Sequence, residues 1–116
     1  MGEDPRHRFG AGAEERAAAF LEQQGLRILE RNVKLKVGEI DLVAMDGDTL
    51  VFVEVRARTH PDQVHPAATV TPAKQRRVVR CAMAYCQQNH VRDTMIRFDV
   101  VAVLGPRGGI EHYPNA

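Results

Sequence analysis

The sequence predicts an α/β domain: a central mixed sheet flanked by helices, with elements in the order α-β-β-β-α-β-β. Three observations carry that expectation. Residues 38–45 alternate in polarity, Asp46-Gly47-Asp48 is a turn signal, and residues 49–57 are rich in valine, which together make a hairpin. Thr71-Pro72 then opens a helical stretch, with threonine as N-cap and proline at the first helical position. Residues 96–104 read as a strand again, and a right-handed helical crossover from the hairpin would lay that strand parallel to its partner.

Taken in order, residues 1–11 mix Gly2, Pro5 and Gly10 with charges and read as a flexible N-terminal arm, leaving 12–116 as a single domain. The first helix is expected from Gly12 to about Gln24, with Ala13, Ala17, Phe20 and Leu21 near one face and Gly25 as its stop. Leu26 to Asn32 is the first strand, and the hairpin follows. Residues 58–70 hold two prolines and two histidines and read as a loop. The second helix runs to about Asn89, and residues 105–109 form a turn into a short last strand, Ile110 to Tyr113.

At 116 residues, with 44% apolar and 27% charged residues, the chain fits one ordinary globular domain. No apolar run approaches the roughly 20 residues of a membrane helix, and the N-terminus lacks the apolar segment of a signal peptide. Cys81 and Cys86 lie five apart on a predicted helix, poor spacing for a disulfide, so two buried thiols in a reducing cytoplasm are expected. The net charge of +1 supplies no global field, but the charges are segregated. Acids cluster before about position 62; Lys74, Arg76, Arg77, Arg80, Arg92, Arg97 and Arg107 follow it. That separation permits a basic face beside an acidic pocket.

Polar residues in apolar settings mark the candidate site. A period of two puts Glu39 and Asp41 on one face of their strand, with Ile40 and Leu42 on the other. Glu54 and Arg56 share a face with Leu50 and Phe52. Unpaired interior acids cost several kcal/mol, so a metal, a cation or a wet cleft is expected beside them. A turn near Gly47 brings Asp41 within about one residue of Glu54. The competing reading makes Glu54–Arg56 a half-exposed ion pair and Asp41 a turn cap.

On the first helix, Glu14 falls beside Ala17, Ala18 and Leu21, where it either points toward those acids or snorkels to solvent. On the second, Val78, Cys81, Ala82 and Tyr85 form the buried side, and Arg76, Arg77 and Arg80 group opposite. Lys74 borders the apolar arc near the helix start, where phosphate is attracted. The three arginines are either a phosphate-contacting face or simply solvated. His60 and His65 lack matching cysteines, so zinc is not expected.

The stretches Glu14-x-x-Ala17-x-x-x-Leu21, Gly25, Ile28, Arg31-Asn32, Gly38-Glu39-Ile40-Asp41-Leu42-Val43, Val51-Phe52-Val53-Glu54-Val55-Arg56-x-Arg58, Lys74 and Arg97-Phe98-Asp99-Val100-Val101 resemble the bacterial YraN family. That uncharacterised family is placed in the restriction-endonuclease-like superfamily and is distantly similar to archaeal Holliday-junction resolvases. The resemblance spans about residues 9–115. It implies Asp41 as the first acid, Glu54 as the second, the carbonyl of Val55 as a further metal ligand, and Glu14 as the first-helix acid of the resolvase branch; Glu39, on the same strand face as Asp41, is an additional candidate ligand. Arg56 stands where the superfamily has lysine. Arginine stays protonated and cannot act as a general base, although its fork suits an anionic phosphorane.

The resulting expectation is a Mg²⁺- or Mn²⁺-dependent nuclease acting on structured or branched DNA. Asp41, Glu54, Arg56, Glu14 and Lys74 would serve catalysis, and Arg58, Arg76, Arg77 and Arg80 would contact the backbone. A homodimer with Ile110 and Tyr113 at its interface is expected as well. Two other classes remain open: a non-catalytic nucleic-acid-binding module, and a protein-interaction component whose acids form a structural ion-pair network.

Overall fold

The computed structural model describes residues 5–58, 72–105 and 108–115, with side chains from residue 12 onward and excepting that of residue 58. The predicted loop with His60 and His65, the Thr71 cap, Arg107 and the Arg58 side chain lie outside the described residues. Helix α1 spans Pro5–Gln23, strand β1 Arg27–Leu35, β2 Gly38–Asp46, β3 Thr49–Arg58, helix α2 Pro72–Gln88, β4 Met95–Leu104 and β5 Ile110–Tyr113. The five strands form one sheet in the order β1-β2-β3-β4-β5. Among the described residues only the β3–β4 pair is parallel, so the mixed sheet and element order are as expected. No helix of the described residues is long and apolar enough to cross a membrane.

Helix α1 begins at Pro5, seven residues before the expected start at Gly12, so residues 5–11 are helical rather than part of an arm. Proline costs nothing at a first helical position, where its missing N–H would have had no partner. The helix ends as Gly25 predicts. Gly25 has φ +97°, its N–H donates to the Glu22 carbonyl at 3.0 Å, and the Leu26 N–H donates to the Leu21 carbonyl at 3.0 Å. This is a Schellman cap, and Leu26 and Leu21 supply its apolar contact.

Helix α2 uses the same cap with a poorer residue. Val91 N–H donates to the Cys86 carbonyl at 2.9 Å while His90 holds φ +55°. A side chain there is strained where glycine is not. His90→Gly is therefore expected to raise stability by about 0.5–1 kcal/mol in a urea melt. A loss of stability would show that the exposed His90 ring makes contacts worth more than the strain.

The sheet has two apolar faces. Ala13, Ala17, Ala18 and Leu21 of α1 pack on Leu42, Ala44, Val51, Val53, Val101 and Val103. The small alanines bring the helix axis close to the strands. Cys81, Ala82 and Tyr85 of α2 cover Ile40, Val43, Leu50 and Phe52 on the other face. Both cysteines are free, Cys81 buried and Cys86 only half-buried. Ile110 packs, partly buried, against the α1-side core.

One expected alternation fails, and it positions the site. Ile40 packs on the α2 side and Leu42 on the α1 side, although a regular strand would put both on one face. The neighbouring strand kinks at the same level without losing register: Arg31 pairs with Leu42 and Val33 with Ile40, and Asn32 between them has φ +52°. Asparagine tolerates that conformation better than most residues. Asp41 sits opposite this kink.

Candidate functional site

The β2–β3 ladder pairs Asp46 with Thr49 across a two-residue turn and runs to Leu42 with Val53. Gly47 at φ +60° makes that turn, matching the type II′ pattern. Continued by one step, the register carries Asp41 alongside Glu54, as the hairpin arithmetic predicts. Beyond Leu42 the ladder is taken over by a side chain: the Val55 N–H donates to Asp41 Oδ2 at 2.7 Å. The atom of Val55 that meets Asp41 is thus its N–H, whereas the resemblance assigns its carbonyl to a metal.

Burial pushes the Asp41 carboxyl up to about 6 despite the Val55 hydrogen bond, and the charges of Glu14, Glu54 and Glu39 add to the rise. The charge of half-buried Glu14 on α1 thus acts at Asp41 from the next layer of the fold. Glu39 is exposed at the start of β2. Glu54 is half-exposed and its Oε1 lies 3.1 Å from Arg56 Nη2. The same-face ion pair weighed against a metal site is thus formed.

A cleft of about 520 Å³ opens between α2 and the sheet, and Glu39, Asp41, Glu54, Lys74, Arg77 and Phe98 are among its lining. Lys74 leans inward as its helical position predicts. Arg76 and Arg80 are exposed. Arg77 departs from the expected grouping: although exposed, it flanks the cleft one turn after Lys74. The approach of Arg77 and Cys81 to β2 depends on Gly38, where φ is +152° and an added Cβ would stand 2.9 Å from Cys81 Sγ. Gly38 in the Gly-Glu-Ile-Asp stretch thereby lets the first turns of α2 close over the acids.

Among the described residues, no three of histidine, cysteine, aspartate and glutamate stand close enough to hold a metal ion between them. The donor set is poor for zinc or for a many-coordinate calcium site. It suits a hard cation that keeps most of its water and leans on one or two carboxylates, as Mg²⁺ does. Asp41, with one oxygen committed to Val55, and Glu54 are the residues that fit that role.

A second polar centre was not anticipated. Asp99 on β4 is 2% exposed, although nothing in the strand pattern marked it beyond being an acid among valines. Arg97 grips it through Nε–Oδ1 and Nη2–Oδ2, both at 2.9 Å, and reaches Asp46 Oδ2 at 2.9 Å. His112 Nε2 lies 2.7 Å from Asp99 Oδ2, and the Asn115 N–H donates to Oδ1 at 3.0 Å. Burial favours the neutral acid, but Arg97, Asn115 and His112 together hold the Asp99 carboxyl below its usual range. The signal that could have found this centre is the Arg97-x-Asp99 spacing, which places both on one strand face. Arg16 of α1 was also overlooked. Its guanidinium donates to the carbonyls of Gly105 and Gly108, tying the helix to the β4–β5 turn.

Comparison with known proteins agrees with the sequence signatures. The profile described as "Uncharacterised protein family UPF0102" matches residues 13–103. A UPF0102 protein of Pelobacter propionicus is 47% identical over 112 residues, covering 92% of this chain and 80% of its own length. One from Anaeromyxobacter dehalogenans is 47% identical over 115 residues, covering 97% and 86%. One from Pelotomaculum thermopropionicum is 44% identical over 117 residues, covering 97% and 98%. Most of the domain, with both acidic strands and α2 inside the matched span, is shared, and the chain belongs to the uncharacterised protein family UPF0102.

Proposed function

We propose that the chain is a divalent-metal-dependent nuclease acting on structured or branched DNA. The observation that carries this reading is the gathering of Asp41, Glu54, Lys74 and Arg77, from two strands and a helix, in one cleft. Carboxylates crowded beside cations suit a phosphodiester and a hard cation better than they suit stability. The fold order also matches what the restriction-endonuclease-like superfamily would have, an argument by analogy of fold.

Asp41 and Glu54 would hold Mg²⁺ or Mn²⁺, which when bound supplies a polarised phosphoryl oxygen and a more acidic water. Arg56 orients Glu54 through their ion pair. It stays charged throughout and takes no proton. Lys74 and Arg77 flank the cleft where they can neutralise a bound phosphate. Arg76 and Arg80, exposed on α2 and outside the cleft lining, would track the backbone without reading sequence. In calorimetry with Mn²⁺, the wild type is expected to bind in the micromolar to millimolar range and Asp41→Asn to lose the heat. Equal heats from both proteins, with no nicking of four-way junction DNA, would overturn the reading.

The Glu54–Arg56 contact favours a second reading, a protein-interaction component whose acids form a structural ion-pair network. Glu54→Gln separates the two. If Glu54 serves a metal, the metal-free protein keeps its melting temperature and loses its response to Mn²⁺. If the ion pair is purely structural, the metal-free protein melts earlier.

A further inference from the structure

Resting on the nucleic-acid reading of the same cleft, we propose that it receives an unpaired nucleobase, so that the favoured substrate carries a bulged or single-stranded nucleotide. The cleft divides into two kinds of surface. Glu39, Asp41, Glu54, Lys74 and Arg77 bring polar groups to its lining, and Phe52, Val79, Phe98 and Val100 bring apolar ones, with Val100 paired beside Glu54 and Phe98 beside Phe52. That combination suits a nucleotide, whose phosphate is anionic and whose base is a flat, largely apolar plate with polar edges. Its volume, about 520 Å³, lies in the range of about 300–1,000 Å³ that small-molecule sites occupy. A duplex presents its bases only edge-on along its grooves and cannot place one here.

A row of aromatic residues backs the apolar part of the lining. Tyr85 meets Phe52 edge-on at 5.6 Å and 82°, and Phe52 stacks on Phe98 at 5.8 Å and 27°. The row is anchored by the Tyr85 hydroxyl, which donates to Glu30 Oε2 at 2.5 Å. Phe52 is buried, whereas Phe98 is only partly so and lines the cleft. A ring held in this way stacks on a base with little loss of side-chain freedom, and stacking is indifferent to base identity. Val79 on α2, 42% exposed, extends the apolar surface toward solvent.

The test uses the full chain in EDTA, so that binding is read without cleavage. The probes are two DNA duplexes of one sequence carrying 2-aminopurine, paired in one and in a single-nucleotide bulge in the other. The wild type is expected to bind the bulged duplex about tenfold more tightly, with a change in 2-aminopurine fluorescence on that duplex alone. Phe98→Ala should bring the ratio toward one. Val79→Gln, at a solvent-facing position that keeps the fold, should do so as well. The Arg76→Ala, Arg80→Ala double variant should weaken both duplexes alike. Equal affinity for the two duplexes, no binding to either, or a ratio untouched by Val79→Gln overturns the proposal. Absence of Mn²⁺-dependent nicking alongside an intact bulge preference would instead sink the nuclease reading and leave the base pocket standing.

Discussion

Asp99→Asn is expected to cost about 3–5 kcal/mol at neutral pH, the penalty typical of removing one partner from a buried ion pair. At about 4 °C per kcal/mol for a chain of this size, the melting temperature should fall by roughly 10–20 °C. The reason is geometric. Both Asp99 oxygens are committed, to the two-pronged grip of Arg97, to His112 and to the Asn115 amide. Asparagine offers one acceptor where these donors require two, and its amide nitrogen would face donors. Arg97 would keep only Asp46, whose side chain is 44% exposed. Asp46→Asn is the control, expected to cost no more than about 1 kcal/mol because the lost contact is screened by water. The sign with pH follows from the lowered Asp99 carboxyl. Its contribution is complete above the ordinary carboxylate range and is lost as pH falls through the depressed value. The gap between wild type and Asp99→Asn should therefore narrow in acid. A variant within 1 kcal/mol of wild type at pH 7 would show that the network contributes little net stability.

Asp41→Asn is expected to act in the opposite direction. The folded protein holds the Asp41 proton up to about pH 6, because burial and the charges of Glu14, Glu54 and Glu39 oppose ionisation. A raised carboxyl favours the folded state most below the unfolded value and loses that advantage as pH climbs through the folded one. Relative to Asp41→Asn, the wild type should thus lose stability between about pH 4 and pH 6 and stay lower above it. The shift corresponds to an upper bound of about 3 kcal/mol, and partial solvent access reduces it to about 1–3 kcal/mol. Asparagine preserves the acceptor for the Val55 N–H, so the strand geometry survives. Urea melts of both proteins at pH 4.5, 6 and 7.5 measure the difference. A variant less stable than wild type at pH 7.5 would mean that the Asp41 charge is compensated rather than strained.

Local chemistry made much of the fold legible. The Asp46-Gly47-Asp48 signal and valine-rich β3 define the hairpin, and Gly25 closes α1 through its left-handed backbone. The inward side of α2 followed from Val78, Cys81, Ala82 and Tyr85 at helical spacing, and Lys74 fell at its border. The early start of α1 was less legible, because Gly10 and Gly12 lower helix propensity while Pro5 serves as a start only once a helix follows. Strict alternation also misplaced Ile40, since no local pattern reveals the kink at Asn32 or the change of face between Ile40 and Leu42 beside it.

By itself, then, the sequence determined the element order, the strand register of the hairpin, and the set of acids and cations with no ordinary place in a core. These depend on period, turn chemistry and polarity, which act over a few residues. Only the tertiary structure decided what those groups meet. Whether Asp41 spends an oxygen on Val55, whether Arg77 faces solvent or the cleft, and whether Asp99 is buried with Arg97 and His112 depend on the β1–β2 kink, the approach of α2 over Gly38, and the docking of β5 beside β4. Those are contacts between segments up to tens of residues apart, and their energies belong to packing and desolvation rather than to any local preference of the chain.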